Sequence, residues 1–302
     1  MMNKVKKSEN LFNKTGKRFA NILLLWFVFH SFIWVIYLRV GTVKLAFTPD
    51  ALSNKFTLVH FERIFNEIFA PDTPLGSYWM NTLKYYFIGL VKLCLGYLVS
   101  YFFFRKVYLS GIYQVIFYLP AMFSGMVYIS VFKNVINTYG PIWMLLYETF
   151  GYELPHLLSS AETATSVILF YVLWSGFGTQ IMIFVGAMNR ISPEVLEAAE
   201  LDGCNWWREL LYMVFPMTIG IFLTYVLTGI GGILTASGPI LFFTGLNEFL
   251  GTYTISFYIY SLTMEGQVNL ASAISLFMGL MLFPVTIGTK WLVNIIQQRT
   301  EY

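Results

Sequence analysis

The residues best equipped for polar recognition form one short segment, SPEVLEAAELDG, at 192–203. Glu194, Glu197, Glu200 and Asp202 fall within nine positions around Ala198 and Ala199, although only 12% of the chain is charged, so the segment stands apart from its surroundings. Local chemistry defines its ends. Ser192 suits an N-cap and Pro193 the first helical position. Glu194 and Glu197 sit where the helix dipole favours negative charge. Leu196, Ala198, Ala199 and Leu201 are sound helix formers, and Gly203 can take the left-handed conformation that ends a helix. Asn205 can cap a second short helix, Trp206 to Met213, before Pro216 opens the next apolar run. The pattern predicts a helix-turn-helix. Its alanine pair admits close approach by another surface, and its acids can set register against basic groups. An ordinary amphipathic connector would carry the same pattern.

Two lysines lie in an apolar run. Lys84 is near the run's end and can snorkel, whereas Lys92 is nearer the middle and either lines a water-filled path or pairs with a neighbouring helix. Trp174, Phe177, Tyr225 and Tyr258 can stack on a ring-shaped ligand or simply pack. Gly229, Gly231, Gly232, Ala236 and Gly238 favour close helix packing. Candidates for a substrate pathway are Lys92, Trp174, Gly176, Thr179, Gly232 and Ala236. His30, His60 and His156 have no paired spacing, so no metal site is expected. Cys94 and Cys204 read as free thiols. The phosphate loop Gly-x-x-x-x-Gly-Lys is absent, as are Gly-x-Ser-x-Gly and His-Glu-x-x-His. ATP hydrolysis by this chain and intramembrane hydrolysis therefore have no constellation to stand on.

The elements that must position these residues are membrane helices. Mean hydropathy is +0.64 and aromatic content 19%, more apolar surface than a soluble domain of 302 residues can hide. Six runs approach or exceed the roughly 20 residues needed to cross the hydrocarbon core: Phe19–Leu38, Tyr78–Phe104, Tyr108–Phe132, Thr163–Met188, Phe215–Phe243 and Leu270–Ile296. Backbone groups in lipid need internal partners, and the runs are too long for barrel strands, so the fold class is all-α with six transmembrane helices. The first run is of span length and ends in Tyr37-Leu38-Arg39 rather than small residues, which reads as a retained span. Residues 1–18 carry six basic residues against Glu9 alone. They read as a cytoplasmic anchor rather than a nucleic-acid arm, and they place both termini in the cytoplasm. The acidic segment then lies on the cytoplasmic side.

These residues also carry a resemblance. Glu197-Ala198-Ala199, then Asp202-Gly203, then Pro216 resembles the EAA loop of permease subunits of bacterial binding-protein-dependent ABC importers. Ile191-Ser192-Pro193-Glu194 and Trp174-Ser175-Gly176-Phe177 fit the same family. Asn81-Thr82-Leu83, Tyr118-Leu119-Pro120, Tyr258-Ile259-Tyr260 and Ala271-Ser272-Ala273 resemble its carbohydrate permeases, and Gln114 and Gly232-Ile233-Leu234 its oligosaccharide branch. The resemblance covers about 78–296 and implies a type I importer permease fold, with 191–214 as a coupling loop docked on a cytoplasmic ATPase. It implies a second permease, two ATPase subunits that use ATP and magnesium, and an external solute-binding protein, with no cofactor on this chain. Cys204 departs from the usual alanine. Phe243 to Glu248 replaces a Thr-Gly-Gly-Gly-Pro segment, so the family's substrate contacts do not carry over. The rival reading is a secondary transporter without ATPases, which requires mid-span ionisable groups arranged for ion coupling.

Overall fold

A computed structural model describes residues 2–49, 55–151, 157–158, 161–233, 239–246 and 251–300. The described residues are helical throughout, apart from turns and short extended links. In chain order the helices are α1 (Met2–Ser31), α2 (Leu38–Ala46), α3 (Val59–Ile68), α4 (Pro74–Phe104), α5 (Ser110–Met122), α6 (Gly125–Ile136), α7 (Pro141–Phe150) and α8 (Ala161–Trp174). They continue with α9 (Gly178–Met188), α10 (Pro193–Leu201), α11 (Trp206–Glu209), α12 (Phe215–Gly232), α13 (Ile240–Thr244), α14 (Ile255–Met264) and α15 (Val268–Thr300). A π-helical turn, Phe32–Tyr37, joins α1 to α2 without a break. Among the described residues five helical stretches are long and apolar enough to span: Gly16–Ala46, Pro74–Phe104, Thr163–Met188, Trp206–Gly232 and Val268–Gln298. A sixth candidate is the bent pair Ser110–Met122 and Gly125–Phe150.

Two expected runs come out differently. Tyr108–Phe132 is no straight span: the chain bends by 105° between α5 and α6. Pro120 cannot bond back to the Ile116 carbonyl, and Phe123 then turns extended, with φ −87° and ψ 152°. The run Phe215–Phe243 is shifted and divided. Its helix starts at Trp206 and stops at Gly232, and Phe243 belongs to the separate α13. Gly229, Gly231 and Gly232 weaken helical continuation there. Ala236, Gly238, Asn247 and Glu248 lie outside the described residues.

The early start has a local cause. Leu210–Val214 is π-helical, and the Phe215 N–H donates to the Leu210 carbonyl. The widened turn accommodates Pro216, which has no N–H and whose ring crowds the preceding turn. Pro216 therefore continues a helix rather than opening one.

Helix α4 is the central strut. It packs on α8, α9, α12 and α14. One apolar cluster gathers Leu75, Tyr78 and Trp79 of α4 with Ile255 and Phe257 of α14 and Ala271 and Ile274 of α15. A second gathers Leu93, Tyr97 and Tyr101 with Phe184, Met188, Leu210 and Val214. Between helices the polar contacts are few and specific. The Asn81 Nδ2 donates to the carbonyls of Gly251 (2.7 Å) and Tyr253 (3.2 Å), and the Ile255 N–H donates to Thr82 Oγ1 (2.9 Å). Asn81-Thr82 thus clamps the irregular strand that leads into α14. Asn269 does the same for the end of α2, donating to Thr48 Oγ1 at 2.8 Å and to the carbonyls of Leu45 and Thr48. Asn81→Ala strips two carbonyls of their donor and is expected to destabilise the purified protein by about 1–2 kcal/mol. A melting curve identical to the parent's would show that the clamp contributes nothing.

Candidate functional site

The acidic segment folds as a helix closed at its C-terminus by a Schellman motif. Gly203 has φ +73°, the left-handed region that a Cβ disfavours. The Cys204 N–H donates to the Ala199 carbonyl and the Gly203 N–H to the Glu200 carbonyl, both at 3.0 Å. Those two bonds satisfy carbonyls that a helix end leaves orphaned. Asn205 then caps α11, its Oδ1 accepting from the Arg208 N–H at 2.9 Å. Ser192 occupies the N-cap position, but its hydroxyl makes no capping hydrogen bond. The second helix does not end at Met213; it runs on through the π turn into α12.

Burial divides the segment into two faces. Ala199 is fully buried, so the alanine pair does not act as a unit: only Ala198 faces outward. Glu194, Glu197, Asp202 and Gly203 are exposed beside it. Leu201 is 89% exposed, and this apolar side chain stands free at the helix end.

Arg105, just past the end of α4, holds the segment down. Its Nη2 bonds the Glu200 carboxylate and lies 3.1 Å from Glu209 Oε2. The Glu209 side chain is 2% exposed, and its Oε1 has no hydrogen-bond partner. Burial works against the Arg105 charge, yet the hydrogen bond that its guanidinium donates to Glu200 and the field of Glu209 outweigh it and raise its pKa above the ordinary value. One guanidinium thereby ties both helices of the acidic turn to the end of the central strut.

Farther along α4 lies a cavity of about 390 Å³. Thr82, Tyr85, Tyr86, Gly89 and Leu93 of α4 face Val172 and Gln180 across it, and Tyr225, Thr228 and Gly232 of α12 close another side. The volume falls in the range of small-molecule sites. The Tyr85 hydroxyl and Gln180 Oε1 are buried without a hydrogen-bond partner. Such groups normally find one, so both are available to a polar ligand.

Of the pathway candidates among the described residues only Gly232 lines the cavity. Trp174 stacks on Tyr128, with centroids 5.3 Å apart, and Thr179 is exposed. Gly176 lies beneath Lys92: a Cβ built on it would fall 1.9 Å from Lys92 Nζ. Of the aromatic candidates Tyr225 lines the cavity, Phe177 packs edge-on to Phe117, and Tyr258 packs on Tyr78. Among the described residues no cluster of metal-ligating side chains occurs.

Residues 92–302 match the family described as binding-protein-dependent transport system inner membrane component. The chain belongs to this family. Among curated relatives, the multiple sugar-binding transport system permease protein MsmF of Streptococcus mutans is 28% identical over 172 residues, covering 53% of this chain and 55% of that protein. The maltose/maltodextrin transport system permease protein MalF of Yersinia pestis is 29% identical over 111 residues, 36% of this chain and 21% of its own length. The chain thus spans between about a fifth and a little over half of these relatives. In overall shape it is similar to a chain from a bacterial ABC transporter involved in import of the acidic polysaccharide alginate. That match has a TM-score of 0.76 and 18% identity, over 95% of this chain and 99% of the other. The shared fold is that of an importer permease.

Within this inner membrane component, sequence reasoning found the acidic helix and its ends and missed the arginine that holds it. Arg105 was legible only as a positive charge marking topology. Glu209 carried a usable signal, an acid opening a long apolar helix, which demands a nearby cation. Tyr85 and Gln180 carried none, since a lone tyrosine or glutamine in a span has no periodic signature. Arg105→Ala leaves the Glu209 carboxylate buried and unpaired and is expected to cost about 3 kcal/mol. The double variant Arg105→Met with Glu209→Leu removes the charge on both sides and should recover most of that loss. Thermal unfolding in detergent checks it: equal stability of Arg105→Ala and the double variant would show that the ion pair does not hold α11 on α4.

Proposed function

We propose that this chain is the transmembrane permease subunit of an ATP-driven ABC importer that moves a sugar, in particular an oligosaccharide, across the cytoplasmic membrane. The observation that carries the reading is α10 itself: a short helix with a glycine-closed end, held from behind by Arg105, with Glu197, Ala198, Leu201 and Asp202 turned outward. A connector with no partner has no use for an outward acidic and apolar face so firmly positioned. The sugar-related names of the relatives support the substrate class. So does a cavity whose tyrosines can cover sugar rings and whose free hydroxyl and amide oxygen can meet sugar hydroxyls.

In this reading a cytoplasmic ATPase receives α10, a second ATPase receives the matching helix of a second permease, and an external binding protein delivers the sugar. ATP and magnesium act on the ATPases. Residues 1–18 and the C-terminus lie in the cytoplasm, on the same side as α10. ATPase closure displaces α10. Arg105 passes the movement to α4, and α4 forms one wall of the cavity. The secondary-transporter alternative lacks support: it needs acids paired with a mid-span cation, and residues 73–104, 163–193 and 210–247 contain no acid.

Forcing a β-branched residue into the left-handed conformation costs on the order of 1 kcal/mol or more. Gly203→Val should therefore re-aim Glu197 and Ala198 without preventing membrane insertion. Permease abundance is expected to stay near normal while substrate-stimulated ATP hydrolysis and uptake fall together. Glu197→Lys should do the same by inverting a charge at the contact. Parental transport by an assembled Gly203→Val complex would refute the coupling role, and loss of the protein alone would make the segment a folding element. Orientation has its own check. In a background without Cys94 and Cys204, cysteines placed at Gly16 and Gln298 should label only from the cytoplasmic side.

A further inference from the structure

Lys92 is a mid-span cation whose neighbours on two helices line the cavity. Gly89, Lys92, Leu93 and Gly96 form one stripe of α4, at the i, i+3, i+4, i+7 spacing of a single helix face. Val172, Gly176 and Gln180 follow at steps of four across α8 and α9. The two stripes face each other: a Cβ on Gly176 would fall 1.9 Å from Lys92 Nζ, and one on Gly96 would fall 3.4 Å from Gln180 Oε1. Gly89 and Leu93 line the cavity on one side of this contact, Val172 and Gln180 on the other. Neither Gly176 nor Lys92 itself lines the cavity, but each is flanked along its stripe by residues that do, and this is where the ammonium lies. It rests on Gly176, in the gap between α8, which stops at Trp174, and α9, which starts at Gly178.

Among the described residues the ammonium has no counter-ion. Among the described residues no hydrogen bond or ion pair reaches it, and the described ion pairs belong to Arg63 and Arg105. Lys84 of α4 and Lys133 of α6 differ. Lys84 donates to Asn81 Oδ1 at 3.4 Å, and Lys133 donates to the carbonyls of Phe242 and Phe243 at 3.2 and 3.0 Å. A half-buried, unpaired cation at membrane depth is costly, and such residues mark substrate or ion paths. A neutral sugar leaves that cost in place, whereas a sugar bearing an anion removes it. One ammonium carries a single charge and three N–H donors, which matches one carboxylate.

We propose that the cavity takes an acidic sugar, with Lys92 pairing the carboxylate of a uronate ring while the Tyr85 hydroxyl and Gln180 Oε1 hold its hydroxyls. This rests on the sugar-importer reading above and narrows its substrate class. A Cβ at Gly176 would occupy the place that the ammonium takes beside these cavity-lining stripes.

The test uses the complete transporter in nanodiscs, with its partner permease, ATPases and binding protein. Sugar-stimulated ATP hydrolysis is titrated with trimers of galacturonate, mannuronate and guluronate, with the carboxyl-reduced counterpart of each, and with maltotriose. An acidic trimer should stimulate, and Lys92→Met should raise its half-saturating concentration at least about tenfold, the scale of one charged hydrogen bond. The same variant should leave any stimulation by neutral sugars within about twofold. Lys92→Arg should retain most of the acidic response, and Gly176→Ala, which displaces the ammonium, should weaken it partially. Unchanged acidic titration in Lys92→Met overturns the proposal. Equal loss on acidic and neutral sugars also overturns it, and assigns Lys92 to capping the carbonyl end of α8. Stimulation by neutral trimers alone overturns it while leaving the sugar-importer reading intact. No stimulation by any sugar defeats both.

Discussion

Hydrocarbon supplies no hydrogen bonds, so every irregularity in a membrane helix must be met from within the protein. In this chain several breaks have such a device. Pro216 is absorbed by a π-helical turn whose longer bond, from Phe215 to Leu210, carries the helix past the missing N–H. The extended strand before α14 is held by the carboxamide of Asn81 and the hydroxyl of Thr82. The carbonyls of Phe242 and Phe243 accept from the Lys133 ammonium.

The same requirement explains how α4 can serve two sites. Its first turns are gripped through Asn81 and Thr82, its middle walls the cavity, and its far end leads into Arg105. A helix of thirty-one residues is a stiff body, because each turn is bonded to the next. A force applied at Arg105 is therefore delivered to Tyr85 and Lys92 without an intervening flexible link. Glu209 makes the attachment robust. A buried carboxylate cannot release its cation cheaply, whereas the exposed Glu200 can exchange its partner with solvent. The acidic turn thus has one fixed tether and one adjustable one.

What could be read from the sequence shares a single property: it depends on neighbours within a turn or two. The amphipathic stop at Gly203, the cap at Asn205 and the apolar runs of span length are all local, and the structure has them. The departures are also instructive. Pro216 read as the start of a span because proline suits a first turn, and the alternative, a π turn, has no sequence signature. The run Tyr108–Phe132 looked continuous because hydropathy does not register the direction of a helix axis. Ala198 and Ala199 looked equivalent because both are small.

By itself the sequence determined the class of molecule, the number of apolar runs and the place and ends of the acidic helix. Composition and short-range periodicity suffice for these. Only the tertiary structure decided which face of that helix is free, since Ala199 is buried by packing between elements. It also decided that Arg105 joins Glu200 and Glu209, partners about a hundred positions away. And it decided that Tyr85, Gln180, Tyr225 and Gly232 enclose one cavity. Contacts between residues so far apart in the chain are set by how the helices cross, and that geometry is written in no local pattern.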